Sequence, residues 1–144
     1  MQTQVVASDQ IQAIERLDFK DIMSKFAKHG WSPLKCSIAE KWYKRFLIIK
    51  VKYPEANLSP HGVVDEVWHY HILDTRRYMQ DCDNIFGHYL HHAPTYGKGS
   101  TEPAKNKMVN YYLIEFGESP LDETLLEANN AKAECCQDED HDMG

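Results

Sequence analysis

Apolar residues recur along the chain at helical spacing, separated by short polar breaks. Between Asp9 and Lys28 the series is Ile11, Ile14, Leu17, Phe19, Ile22, Met23 and Phe26. That period predicts amphipathic helix, with a kink or break near Leu17–Asp18 and a stop at His29-Gly30. The stretch "SIAE" places Ser37 as an N-cap with Glu40 three residues on, a capping box. Ile38, Trp42, Phe46, Ile49 and Tyr53 then form a stripe, flanked by Ala39, Tyr43 and Leu47, and Pro54 ends it. A helix is expected to begin near Ser59-Pro60 and to run unbroken to about Phe86, where Gly87 closes it. Val64, Trp68, His71, Thr75, Tyr78, Cys82 and Ile85 share one of its faces. "HYLHHAPTYGKGS" reads as an ordered loop followed by a flexible link. Thr101, or the residues just after it, opens another helix carrying Met108, Tyr111, Tyr112 and Phe116, stopped by Gly117. "SPLDETLLEA" restarts with Ser119 as cap and Pro120 in the first helical position.

No strand pattern and no repeat stands out. The expectation is an all-α, single domain of about five helices in an orthogonal or irregular bundle. It would occupy residues 9–128, between a flexible N-terminus (1–8) and an acidic, disordered tail (129–144).

A length of 144 residues with 42% hydrophobic content is enough to bury a core in one domain without disulfide staples. The net charge of −6 argues against bulk binding to phosphate backbones. The local basic group Lys41, Lys44, Arg45, Lys50 and Lys52 reads as the solvated face of a helix. No signal peptide and no apolar run of membrane-spanning length is visible, so the expected location is the cytoplasm. There the cysteines, Cys36, Cys82, Cys135 and Cys136, are expected to be thiols.

The chemistry concentrates in "VWHYHILDTRRYMQDCDNIFGHYLHH", residues 67–92, which holds five of the eight histidines. Each helical residue advances about 100° around the axis. His69 and His71 therefore stand about 200° apart and cannot share one ion on a regular helix. Asp65 lies four residues before His69 and Glu66 three before, so His69 has carboxylates on its own face. His71 points with Trp68 and has Asp74 as its expected hydrogen-bond partner. His88, His91 and His92 follow the helix end, and a loop there can return one or two imidazoles to the helix. Three N or O ligands plus a water make an open zinc or iron site. The candidate metal residues are Asp65, His69, His71, His91 and His92. The competing reading makes His71 a satisfied core histidine and leaves the others as half-exposed or packing groups. No "HExxH" or "CxxC" spacing is present and no nucleophile stands out. Cys82 lies on the core face, where a thiol is structural rather than reactive.

"DEVWHYHILDTRRYMQDCDNIFG" resembles the conserved segment of the glycine-rich domain-containing protein-like family. Its pattern is D-x-x-W-H-x-H, then an aromatic Tyr, then D-C and a terminal G. The matching positions are Asp65, Trp68, His69, His71, Tyr78, Asp81, Cys82 and Gly87. The resemblance implies a short, bacterial-type member of a family with no established reaction, whose long plant members have a suggested RNA association. It implies that the two histidines serve either a site or a buried polar network. The tail departs from the family's Gly- or Cys-rich tails, having only Cys135-Cys136 and acids.

These readings converge on a small cytosolic helical domain with a central His/Asp site that can hold a divalent metal, zinc or iron, and act on water or a small substrate. The alternative is a non-enzymatic protein-interaction module. Its histidines would brace the core, and Tyr89, Tyr96, Tyr111 and Tyr112 would contact a protein partner.

Overall fold

The computed structural model describes residues 2–60, 62–92 and 102–120. Among them there are six helices and no strand, an all-α fold: α1 (Gln2–Glu15), α2 (Lys20–Lys28), α3 (Pro33–Lys52), α4 (Gly62–Leu73), α5 (Thr75–Phe86) and α6 (Glu102–Phe116). The segment after Pro120 and the tail, with Cys135 and Cys136, lie outside the described residues, as does Tyr96.

α3 is the centre of the bundle. It packs against α1, α2, α4 and α6, while α5 packs on α1 and α4. Its central role follows from its sequence, because Cys36, Ala39, Trp42, Tyr43, Phe46, Leu47, Ile48 and Ile49 are all buried. So wide an apolar arc suits a helix with neighbours on several sides. α6 is fastened to α3 by Met108 and Tyr112, both buried, with the Tyr112 ring edge-on to Trp42 at 4.9 Å.

Several helix boundaries differ from the sequence reading. α1 begins at Gln2, ahead of the expected start at Asp9. The break near Leu17–Asp18 is present. It places Phe19 in the core, 5.4 Å from the Tyr43 ring and 5.0 Å from the His71 ring. The cap of α3 is Ser32 rather than Ser37. The Ser32 hydroxyl accepts from the Lys35 N–H at 3.0 Å, and Pro33 occupies the first turn. A proline there loses no hydrogen bond and brings its φ already set, so this pair outcompetes the capping box, and Ser37 stands exposed within the helix.

The expected single helix from Ser59-Pro60 to Phe86 starts at Gly62 and is two helices. Asp74, at φ −83° and ψ 74°, interrupts it. Both sides keep their hydrogen bonds: the Asp74 N–H reaches the Tyr70 and His71 carbonyls, and the Asp74 carbonyl accepts from Tyr78 N–H. The bend leaves Thr75 exposed, off the shared face, while Val64, Trp68, His71, Tyr78, Cys82 and Ile85 stay buried.

Of the basic group on α3, Lys44 pairs with Glu40, Arg45 with Glu118, and Lys52 with Glu115. No described helix is long and apolar enough to cross a membrane.

Candidate metal centre

α4 carries two of the site's side chains. Asp65 and His69 lie one turn apart, and His69 Nε2 is 3.7 Å from Asp65 Oδ2. The third side chain comes from beyond α5. Gly87 ends that helix at φ 78°, and its N–H bonds the Cys82 and Asp83 carbonyls. This is the left-handed cap that glycine supplies without strain. The chain then turns back, and His92 Nε2 arrives 2.8 Å from Asp65 Oδ1 and 3.1 Å from His69 Nε2. One ligand atom from each of Asp65, His69 and His92 lies within 4.8 Å of the others, close enough together that the group could hold a metal ion. Their side chains are 33%, 34% and 24% exposed, so one side of the group faces solvent.

His71 stands apart from this group. It is 1% exposed. Its Nδ1 lies 2.7 Å from the Tyr43 hydroxyl and its Nε2 lies 2.8 Å from Asp81 Oδ2. A neutral ring satisfies both contacts: Nε2–H donates to the carboxylate, and Nδ1 accepts from the phenol. Burial pushes the Tyr43 phenol well above its ordinary pKa, so the hydroxyl keeps its proton for that bond. Asp81 also accepts from Arg77 Nε at 3.3 Å, and Arg77 donates to the Asp18 carbonyl at the α1–α2 break. The expected partner, Asp74, is instead the exposed residue at the helix break. His71 is thus a satisfied core histidine tying α3, α4 and α5 together.

His91 is exposed and lies against the Tyr89 ring at 4.7 Å, outside the metal-spaced group. His88 is exposed as well, with Nδ1 3.0 Å from the Tyr89 carbonyl. Of the tyrosines expected on an interaction surface, Tyr96 lies outside the described residues and Tyr89 is 38% exposed. Tyr112 is 1% exposed, and Tyr111 packs on Tyr53 at 4.4 Å. An open cleft of about 570 Å³ lies along the outer face of α5, lined by Arg76, Met79, Gln80, Asp83, His88 and Tyr89. Cys36 and Cys82 are buried, and burial raises both thiols, which keeps them protonated and unreactive.

Around His92 the support is aromatic and hydrogen-bonded. The Trp68 ring lies 4.4 Å from the His92 ring. The Trp68 indole N–H donates to the Tyr78 hydroxyl at 2.9 Å, and that hydroxyl donates to the Leu90 carbonyl at 2.5 Å. Burial raises the Tyr78 phenol far above its ordinary range, so it remains a donor.

Neither Tyr43 nor Tyr78 was singled out for a polar role by the sequence. Tyr43 sits on a different helix, 28 residues from His71, and nothing local announces that contact. The detectable signal was Asp81, which follows Arg77 at the i, i+4 spacing of an ion pair.

Comparison with known proteins places the domain. No curated protein and no solved structure matches the chain. The family model that matches is UCP032817-like, over residues 10–125. Nothing in that match indicates the glycine-rich domain-containing protein-like family, so the resemblance drawn from residues 65–87 is corrected. A short segment of shared pattern yields to a match that runs from α1 past the end of α6. On the strength of that match, the chain belongs to the UCP032817-like family.

Proposed function

We propose that Asp65, His69 and His92 bind a single divalent metal ion, zinc or iron, with further coordination positions open to solvent. The convergence of two imidazole nitrogens and one carboxylate carries the reading. Ligand atoms about 2.05 Å from a shared ion at the tetrahedral angle lie about 3.3 Å from one another. The two imidazole nitrogens, 3.1 Å apart, are close to that value, and each lies near one oxygen of the same carboxylate: His92 Nε2 is 2.8 Å from Asp65 Oδ1 and His69 Nε2 is 3.7 Å from Asp65 Oδ2.

Hydrogen bonding alone accounts for the cluster poorly. An imidazole nitrogen offers one hydrogen or one lone pair in the ring plane, never both. If His92 Nε2 donates to Asp65, His69 Nε2 can only share that same hydrogen as a second acceptor, a weaker three-centre contact. If both rings were protonated, two cations would face each other at 3.1 Å. A metal ion takes one lone pair from each nitrogen and one from the carboxylate, so every contact becomes favourable.

The ligand set also suggests the kind of site. Two histidines and one carboxylate with open positions suit catalytic zinc and non-haem iron, whereas structural zinc is closed by four protein ligands. A bound ion would supply a polarised water or a Lewis-acid contact for a small substrate. Asp65 and His69 would hold it from a rigid helical turn, and His92 would close the set from the return segment.

Metal analysis of untagged protein tests the reading. One equivalent of zinc or iron per chain is expected, falling to background in a His69→Ala, His92→Ala double variant and unchanged in His91→Ala. Sub-stoichiometric metal that is the same in the wild type and the double variant would sink it.

A further inference from the structure

We infer that Tyr78 and Trp68 are positioning residues for His92. The Tyr78 hydroxyl, oriented by the Trp68 indole N–H, holds the segment that carries His92, and the Trp68 ring sets the place of its imidazole. The inference rests on the reading of Asp65, His69 and His92 as a metal centre and names what makes the third ligand available.

His92 needs such support because of where it lies. Backbone bonding at the end of α5 stops with Gly87, whose N–H reaches Cys82 and Asp83. Among the described residues, no backbone–backbone bond involves residues 88–92. The segment is therefore held by side chains. Tyr78 supplies a hydrogen bond to the Leu90 carbonyl at 2.5 Å, two residues before His92, and a ring contact to Tyr89 at 5.1 Å. Trp68 supplies the 4.4 Å ring contact to His92 itself. The 2.9 Å Trp68–Tyr78 bond joins the two supports into one unit.

A core-filling role for Tyr78 makes a different demand. Phenylalanine would fill the same space, whereas only the hydroxyl can accept from Trp68 and donate to Leu90 at once. Partners of this kind behind a metal ligand typically control affinity 10- to 100-fold.

The test compares wild type, Tyr78→Phe and Trp68→Phe, with Tyr112→Phe as a control that removes another buried hydroxyl, one 3.4 Å from the Trp42 carbonyl. Zn²⁺ affinity is measured by competition with a chelator. The NMR shifts of the His92 ring protons are followed in metal-free protein, where the Trp68 ring current displaces them. Tyr78→Phe is expected to weaken Zn²⁺ binding roughly 10- to 100-fold and to move the His92 shifts toward those of a free histidine in water. Tyr112→Phe should do neither. Trp68→Phe, which keeps a ring but loses the N–H donor, should act in the same direction and serves if Tyr78→Phe does not fold. Wild-type affinity in both variants, with unmoved His92 shifts in Tyr78→Phe, overturns the inference; if Tyr78→Phe does not fold, wild-type affinity in Trp68→Phe overturns it. Failure of the wild type to bind either Zn²⁺ or Fe²⁺ overturns the metal centre, and the His92 shifts in Tyr78→Phe then decide the positioning alone.

Discussion

His71 Nε2 and Asp81 Oδ2 lie 2.8 Å apart although ten residues separate them along the chain. On a continuous helix, ten residues rise about 15 Å, and the two side chains could not meet. The bend at Asp74 folds α5 back so that they do. The same bend brings the Trp68 indole to the Tyr78 hydroxyl across an identical separation in sequence. One helix break thus builds both the core network and the support for His92.

Loss of His71 would leave the buried Tyr43 hydroxyl without its partner and remove one of the two hydrogen bonds to Asp81, which keeps Arg77. His71→Ala is expected to destabilise the fold by about 2–4 kcal/mol, combining an unsatisfied hydroxyl with a cavity. His91→Ala, at an exposed position, should change stability by less than about 0.5 kcal/mol. Urea unfolding of the two variants makes the comparison, and equal midpoints would show that the network does not brace the core.

Metal binding at Asp65, His69 and His92 should stabilise the folded chain, because those ligands come together only on folding. At a free Zn²⁺ concentration 100 times Kd the gain is about 2.7 kcal/mol. Thermal unfolding with and without Zn²⁺ should show a rise in Tm for wild type, His71→Ala and His91→Ala. The rise should vanish in His69→Ala and His92→Ala and be reversed by chelator.

Gly87 sets the direction in which the chain leaves α5. A Cβ there would meet nothing within 4 Å, so substitution strains only the backbone at φ 78°. Gly87→Ala should cost about 1 kcal/mol, and Gly87→Asn less, because asparagine tolerates the left-handed region better. Chemical denaturation of the pair gives the ranking, and a milder effect from alanine than from asparagine would contradict it.

The α3–α6 contact carries a pH dependence. Glu115 accepts from Lys52 Nζ at 2.7 Å and from the Tyr53 hydroxyl at 2.5 Å. These bonds, Lys52 first, hold its carboxyl below the ordinary range. A pKa lower in the folded than in the unfolded state, which lies near 4.3, adds stability above the unfolded value. That contribution fades as pH falls through the lowered folded value. Glu115→Gln should therefore be less stable than wild type at neutral pH, with the gap closing in acid. A gap that stays constant on acid titration would remove Glu115 as its source.

Much of the helical plan was readable in advance because local rules govern it. The break before Phe19, the stop at Gly30 and the end of α3 before Pro54 all follow from neighbours within a turn or two. The cap of α3 differs from the capping-box expectation because two N-terminal signals overlap, and Ser32-Pro33 starts the helix before Ser37 can. Asp74 is of a type favoured at helix N-caps and is the residue before α5, but the apolar spacing that continues on both sides of it reads as one unbroken helix. The glycine-rich family resemblance failed for a related reason: it weighed one segment of the chain, whereas family membership rests on the whole domain.

At the site, helical periodicity alone determined that His69 and Asp65 share a face and that His71 turns away from them. That follows from a rotation of about 100° per residue and needs no tertiary information. Which histidine completes the group, and what His71 bonds, depended on where α5 points after Asp74 and where the chain goes after Gly87. Those directions are set by the packing of α5 on α1 and α4. Contacts between residues far apart in sequence leave no periodic trace, so the choice of His92 over His91, and of Asp81 over Asp74, belonged to the tertiary structure.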